Sequence, residues 1–348
     1  MMVIFLIYKR HIMTTSTKIR VGVYGASGYA GQDLIEILAK HPQVEIVFGT
    51  SNTYAGDIIP FTSLRYIPSD DAPLSSVDAV FLALPHQTSA KMAHLALSHG
   101  KKVIDLSADL RLDTPESYAK WYHEPHPHPD LLPTPYGLVE INREILRGID
   151  RVAVPGCYPT TTLLGLYPLL TSGALAPHTP IVVDAKSGVS GAGREPKPNT
   201  HFVEVFGNFS PYNAGRTHRH VGEMEQEIAK LDPQAGALIF VPHLLPVDRG
   251  LMASIYVTLN DGFTSDQAQH LYEEIYDGEA LVDVLPPKHH ATLKHAVRTN
   301  KCVISLNPVL PNLLHITSVT DNLRKGAAGQ AVQNFNLMYH LDETTALL

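Results

Sequence analysis

The sequence predicts an α/β protein in two parts: a doubly wound, Rossmann-type parallel-sheet domain, then an α+β domain built on a mostly antiparallel sheet. Three observations carry this reading. The strand-like run Val21-Gly22-Val23-Tyr24 opens directly into Gly25-Ala26-Ser27-Gly28-Tyr29-Ala30-Gly31 and then into a helical pattern, the strand, glycine turn and helix of a parallel sheet's first unit. Ala79 to Leu84 is an unalternating apolar run, as expected of a strand buried on both faces. By contrast, Leu251, Ala253, Ile255, Val257 and Leu259 alternate with Met252, Ser254, Tyr256 and Thr258, the period of a strand with two unlike faces.

The elements follow in order. Leu34, Ile35 and Leu38 share one helical face and Pro42 marks its stop, which predicts a first helix behind the glycine turn. Val44 to Phe48 reads as a second strand ending at Gly49-Thr50-Ser51-Asn52. Thr88 to Ser98 reads as a helix closed by Gly100, and Val103-Ile104-Asp105-Leu106 as the next strand, so strands and helices alternate as in a doubly wound sheet. Beyond about residue 155, strands are expected at Ile181 to Ala185, Leu238 to Val241, Cys302 to Leu306 and Leu313 to Val319, and a helix begins near Thr160. The apolar helix expected from about Gly326 to Tyr339 finds no clear partner there and is read as returning to the first domain. Residues 17–155 plus 325–348 are thus expected to form the first domain and 156–324 the second. Residues 1–16 are an extension expected to be poorly ordered, with Met13 an alternative start.

A chain of 348 residues suits two domains. With 44% hydrophobic and 18% charged residues it is not intrinsically disordered. Its 27 Lys and Arg stand against 34 Asp and Glu, for a net charge of −7, and no basic run is long enough to follow a phosphate backbone, so nucleic acid is excluded as the main partner. The apolar run Val3 to Tyr8 is too short to span a bilayer, and basic residues follow rather than precede it, so no membrane partner is expected. The two cysteines, Cys157 and Cys302, lie far apart, which excludes a disulfide framework and a cysteine-rich zinc site and points to the cytoplasm.

The glycines of the first turn sit where a dinucleotide fingerprint belongs, although Gly25-x-x-Gly28-x-x-Gly31 differs in spacing from the usual pattern. They let the backbone approach a pyrophosphate at a positive helix end, while a tight turn that binds nothing is the plainer alternative. No acid follows the second strand to hold a ribose 2′-hydroxyl; the small side chains around Ser51 tolerate a 2′-phosphate, so NADP(H) is the expected cofactor. Cys157, in Pro155-Gly156-Cys157-Tyr158-Pro159-Thr160, stands at a helix start, where free amides and the macrodipole favour a thiolate. Cys302, inside a strand, reads as a buried inert thiol. The loop Ser187-Gly188-Val189-Ser190-Gly191-Ala192-Gly193-Arg194 offers amides, hydroxyls and a guanidinium suited to phosphate or carboxylate. His218 and His220 flank Arg219 before a helix and read as acid/base groups, since the chain has neither H-E-x-x-H nor a cysteine partner for metal. No metal is expected. The tract His123-Glu124-Pro125-His126-Pro127-His128-Pro129 looks metal-binding but offers no second ligand group in sequence, so it reads as a stiff surface loop.

Taken together these stretches resemble the N-acetyl-gamma-glutamyl-phosphate reductase family of arginine biosynthesis, related in fold to aspartate-semialdehyde dehydrogenase. The resemblance runs from about Lys18 to Met338 and also rests on Ala83-Leu84-Pro85-His86, Asp105-Leu106-Ser107-Ala108-Asp109-Leu110-Arg111, Tyr136-Gly137-Leu138 and Asp321-Asn322-Leu323-Arg324-Lys325-Gly326-Ala327-Ala328-Gly329-Gln330-Ala331. Leu110 and Val139 stand where the family more often has Phe and Pro, and Val221-Gly222 where it more often has Thr-Pro. What the resemblance implies is NADPH-dependent reduction of an acyl phosphate to an aldehyde through a thioester on Cys157, with His220, ahead of His218, moving the proton. It implies that Gly25, Ser27, Gly28, Tyr29, Ala30, Gly31, Ser51, Ser190, Gly191 and Asn322 meet the cofactor. Arg111, Ser187, Gly193 and Arg194 are expected at the small-molecule substrate. A homodimer or homotetramer is expected. The rival readings are the same chemistry on the one-carbon-longer aminoadipyl phosphate of lysine biosynthesis, and a nucleotide-responsive regulator without catalysis; the latter needs no nucleophile.

Overall fold

The computed structural model describes residues 18–348, so the extension expected at 1–16 and the alternative start at Met13 lie outside the described residues. The first sheet takes its strands from β1 (Ile19–Tyr24), β2 (Val44–Gly49), β3 (Ala79–Leu82), β4 (Lys102–Asp105) and β5 (Arg151–Ala153). They pair in the order β2-β1-β3-β4-β5, all parallel. Helices α1 (Tyr29–Lys40), α2 (Thr88–Ser98), α3 (Pro115–Tyr122) and the short α4 (Val139–Asn142) connect them. Every residue of β3 is buried, which is why its sequence shows no alternation. Helix α3 has two start signals: the Thr114 hydroxyl accepts from the Ser117 amide, and Pro115 occupies the first turn.

From Cys157 the chain builds the second sheet. Its elements are α5 (Cys157–Ser172), β6 (Ile181–Gly188), α6 (Phe202–Val205), β7 (Ser210–Pro211), α7 (His220–Leu231), β8 (Leu238–Leu245) and β9 (Leu251–Thr258). They are followed by α8 (Ser265–Ile275), β10 (Val282–Val284), α9 (Leu293–Ala296), β11 (Cys302–Leu310) and β12 (Leu313–Thr320). The strand order is β10-β11-β12-β9-β6-β8-β7, with parallel pairing at β10–β11 and β6–β8 and antiparallel pairing elsewhere. The sheet is therefore mixed and mostly antiparallel. Helix α5 begins at Cys157, earlier than the sequence pattern suggests, because the extended Gly156 ends the preceding loop. It packs on β9 and β12, and its Leu163, Leu164, Leu166 and Leu169 join one core with Val183, Phe240, Ile255 and Ile316.

After β12 the chain leaves this sheet through a π-helical turn, Arg324–Ala328, into α10 (Gly329–Met338). Ala328, Ala331, Val332, Phe335, Leu337 and Met338 are packed with Val21, Leu34, Phe81, Ile104 and Val152, in the core of the first sheet. Among the described residues no helix is long and apolar enough to cross a membrane.

Candidate active site

In an open parallel sheet, ligands bind outside the carboxyl ends of the strands where the strand order reverses, here between β1 and β3. Gly25 follows β1 at a φ of +72°, and a Cβ there would collide with the Ala83 carbonyl after β3, so the turn admits only glycine at no cost. The Ala26 amide donates to the Thr50 carbonyl at 3.0 Å and the Ser27 hydroxyl to the Ser51 hydroxyl at 2.8 Å, which fixes the turn against the end of β2. Gly28 precedes α1 with no side-chain cap, which among the described residues leaves the first amides of the helix free for an anion.

This turn forms one end of a cavity of about 950 Å³. Of the residues singled out in sequence, Gly25, Ser27, Gly28, Tyr29, Ala30, Gly31, Ser51, Arg111, Cys157, Ser190, Gly191, Gly193, Arg194, His220 and Asn322 line it; Ser187 and His218 do not. Ser187 lies behind the loop it begins, with its hydroxyl donating to the Gly188 carbonyl at 3.1 Å. Asn322 ties the two halves of the wall together, donating to the Ser190 hydroxyl at 2.9 Å and accepting the Gly250 amide at 2.7 Å. Arg194 points to the glycine turn, donating to the Ser27 carbonyl at 2.7 Å and lying 4.3 Å from the centre of the Tyr54 ring.

Cys157 occupies the first position of α5 at the other end of the cavity. It is enclosed on two sides by close backbone approaches. A Cβ on Gly326 would lie 2.8 Å from the Cys157 Cβ, and a Cβ on Gly156 would lie 2.6 Å from His220 Nε2 and 2.9 Å from Arg111 Nη1. The imidazole and the guanidinium thus lie against the Gly156 turn that carries Cys157, and all three side chains line the same cavity. Burial pushes the Cys157 thiol up to about 11, against the downward pull of the Arg111 charge and the helix amides. The thiolate preference expected from the helix start alone is therefore outweighed by desolvation.

The two histidines divide. His220 opens α7, lines the cavity, and keeps Nδ1 buried without a hydrogen-bond partner among the described residues. Burial holds it well below the usual histidine value, helped by His218, Arg111 and Arg219, so it is neutral at neutral pH. His218 sits behind it, its ring edge-on to Tyr158, Tyr212 and Phe240, and its Nδ1 accepts the His220 backbone amide at 3.1 Å. Burial takes it down to about 4. His218 is thus packed among aromatic rings, and only His220 reaches the thiol side.

Arg111 is held at all three nitrogens: Nε donates to the Val154 carbonyl at 2.9 Å, Nη2 to the Leu106 carbonyl at 2.8 Å, and Nη1 faces Glu223 at 3.3 Å. Glu223 is the residue that sequence reasoning missed. Its buried carboxylate accepts the Tyr136 hydroxyl and the Gly156 amide, each at 2.8 Å, and so fixes the turn that carries Cys157. The available signal was its position one turn after His220 on the same helix face. Gly222, which replaces the more frequent proline, packs beneath the Trp121 indole with no room for a side chain.

A crevice at the carboxyl edge of a parallel sheet, closed by a cysteine that begins a helix of a second, mixed sheet, defines the semialdehyde-dehydrogenase class. The models for its NAD binding domain and its dimerisation domain match residues 20–149 and 157–322. Aspartate semialdehyde dehydrogenase II from Vibrio cholerae, solved in complex with ASA, is similar in fold at a TM-score of 0.74 and 20% identity, over 93% of this chain and 99% of that one. The Candida albicans enzyme solved with NADP is similar at a TM-score of 0.63 and 15% identity, over 93% and 99%. Within this class the chain belongs to the N-acetyl-gamma-glutamyl-phosphate reductase family. It is 44% identical over 341 residues to that reductase from Desulforudis audaxviator, covering 95% of this chain and 98% of the relative. It is 43% identical over 340 residues to the one from Azotobacter vinelandii, covering 94% and 98%.

Proposed function

We propose that the protein reduces N-acetyl-gamma-glutamyl phosphate to N-acetylglutamate 5-semialdehyde with NADPH, in arginine biosynthesis. The observation that carries this reading is the convergence of Cys157, His220 and the glycine turn on one cavity. The cofactor fits the residues present: Thr50, Ser51, Asn52 and Thr53 after β2 include no acid, and the Arg194 guanidinium stands beside Ser27 and Tyr54. Arg194 is accordingly assigned to the cofactor's 2′-phosphate rather than to the substrate. When bound, NADPH supplies the hydride.

The chain's own residues do the rest. Cys157 Sγ bonds to the acyl carbon and phosphate leaves, while the thiol proton passes to the neutral His220. The fixed charge of Arg111 stabilises the thiolate as it forms, and the free amides at the start of α5 face the carbonyl oxygen where negative charge develops. His220 passes the thiol proton to the departing phosphate, which leaves as hydrogen phosphate; a proton taken up from solvent recharges His220, and after reduction it gives that proton to the carbonyl oxygen. It takes the proton back as the carbon–sulfur bond breaks, which releases the aldehyde and leaves the sulfur to be reprotonated. Glu223 positions Arg111 and the Gly156 turn. The pair of free cysteines and the need for a reduced Cys157 favour the cytoplasm. A homodimer is proposed, since the dimerisation-domain match spans the second sheet; light scattering on the purified protein tests it.

The reaction is tested in reverse, with NADP, phosphate and N-acetylglutamate semialdehyde beside the aminoadipate homologue. A higher kcat/KM for the glutamate compound is expected. Equal or better use of the longer homologue would move the assignment to lysine biosynthesis, and no turnover with either would leave the regulator.

A further inference from the structure

The histidine–proline tract lacks a second ligand group in sequence, but folding supplies one. His94, on the outer face of α2, stacks on His128 with ring centres 4.1 Å apart and planes 15° from parallel. The Asp130 carboxylate bridges their Nδ1 atoms, one oxygen 3.3 Å from that of His94 and the other 3.8 Å from that of His128. One ligand atom from each of the three side chains lies within 4.8 Å of the other two.

The frame around these donors is fixed. The Asp109 carboxylate accepts the Gln87 amide at 2.9 Å and the Ala90 amide at 2.8 Å, holding the start of α2, while its backbone carbonyl is 2.9 Å from the buried His126 Nε2. His126 Nδ1 in turn accepts the His128 amide at 3.1 Å, and Leu131 is anchored in the core of the first sheet. His126 is thus used up inside, and its neighbours His128 and Asp130 are turned outward beside His94. Prolines at 125, 127 and 129 stiffen the segment between the anchors.

We propose that His94, His128 and Asp130 form a surface site for a divalent cation of the zinc class, which clamps α2 to the 123–131 segment. Two imidazoles and one carboxylate are the donor set such ions take, with water completing the coordination. His94 and Asp130 are exposed, so their side chains are open to solvent and can adjust towards metal–ligand distances of ~2.0–2.2 Å. Lys91, on the same helix, is the nearby positive charge that moderates affinity. The site lies apart from the cavity that holds Cys157, none of whose lining residues it shares.

The test is calorimetric titration of the untagged full chain with zinc chloride, in a Cys157→Ser background so that the active-site thiol cannot take the metal. One saturable equivalent is expected, with a rise in unfolding temperature. His94→Ala and His128→Ala should each weaken binding by at least about 10-fold, the smaller effect seen when even a supporting group of a metal site is lost. Asp130→Asn, which keeps shape and removes charge, should weaken it too, and cobalt(II) absorption should lose its coordinated-ion bands in the same variants. Absence of saturable binding overturns the proposal. So does binding that is unchanged in both histidine variants while their circular dichroism matches the parent.

Discussion

Cys157 and Cys302 carry the same functional group in opposite settings. Cys302 is fully buried in β11, its sulfur 3.3 Å from the Ser318 hydroxyl, and burial takes it up to about 12. Cys157 is also raised, to about 11, but it faces the cavity and has a neutral imidazole and a guanidinium for company. Cys157→Ser should therefore lose nearly all turnover, because a serine hydroxyl is harder to ionise and a poor leaving group, while Cys302→Ser should cost little; steady-state assays decide. The raised thiol also fixes a sign. A thiol above its ordinary value stays protonated through pH 7–8, so alkylation of the free protein by iodoacetamide should climb steadily with pH towards about 11 and be slowed by bound substrate. A plateau below pH 8 would show that the free enzyme already holds a thiolate. For the histidines, His220→Asn should lower kcat by about 10²–10⁴-fold, the usual scale for acid/base groups. His218→Asn should act more weakly and through the packing of Tyr158, visible as a loss of thermal stability. Ser51→Asp places a negative charge beside Ser27 and should shift the NADPH/NADH ratio of kcat/KM towards NADH by repelling the 2′-phosphate.

At the scale of elements, the π-helical turn Arg324–Ala328 brings Gly326 against Cys157, and it depends on a buried ion pair. The Gly326 amide donates to the Asp321 carbonyl at 2.9 Å and the Ala328 amide to Leu323 at 2.8 Å, the wider loops of a π turn. Lys325, fully buried, donates to Glu140 at 2.5 Å and to Gln333 at 2.7 Å. Lys325→Met leaves the Glu140 charge alone in the interior and should cost ~3–5 kcal/mol in urea unfolding, whereas pairing it with Glu140→Leu should recover most of that. If the single and double variants lose equally, the pair contributes through shape rather than charge. Such features were not legible beforehand. The apolar run of β3 and the alternation of β9 announce themselves because each strand's burial is decided by its own side chains. The wider turn at Arg324–Ala328 leaves no local mark in a sequence that reads as helix only from about Gly326, since the groups that meet it, Glu140 and Asp321, lie outside it. Glu223 likewise reads as a routine first-turn acid, and its role follows from Gly156, Arg111 and Tyr136 arriving from other elements. The parallel pairings β6–β8 and β10–β11 were hidden for the same reason: partner choice across a long connection leaves no local pattern.

For the whole molecule, the chain crosses between the sheets around residues 153–157 and again around 320–329, and the two crossings touch where Gly326 packs on Cys157. A charged cluster joins the same region: Arg249 pairs with Asp33 and, at 3.3 Å, with Asp321, while Arg324 reaches Asp33 at 3.1 Å and Glu36 at 2.7 Å. We propose that residues 18–155 and 325–348 form one folding unit, with 156–324 the other. The consequence can be sized. Val332, Phe335, Leu337 and Met338 of α10 are buried among Val21, Phe81 and Val152, and four such side chains are worth roughly 6–12 kcal/mol at ~1.5–3 kcal/mol each. That is comparable with the entire stability of ~5–15 kcal/mol usual for a folded protein, so the first sheet should not survive without the helix. Residues 18–156 expressed alone should therefore aggregate or give a collapsed amide spectrum. The same residues joined to 323–348 by a short Gly-Ser linker should give a dispersed one, because the ends to be joined already lie against each other. Cooperative unfolding of the 18–156 fragment by itself would show that α10 is an accessory to the nucleotide domain rather than part of its core.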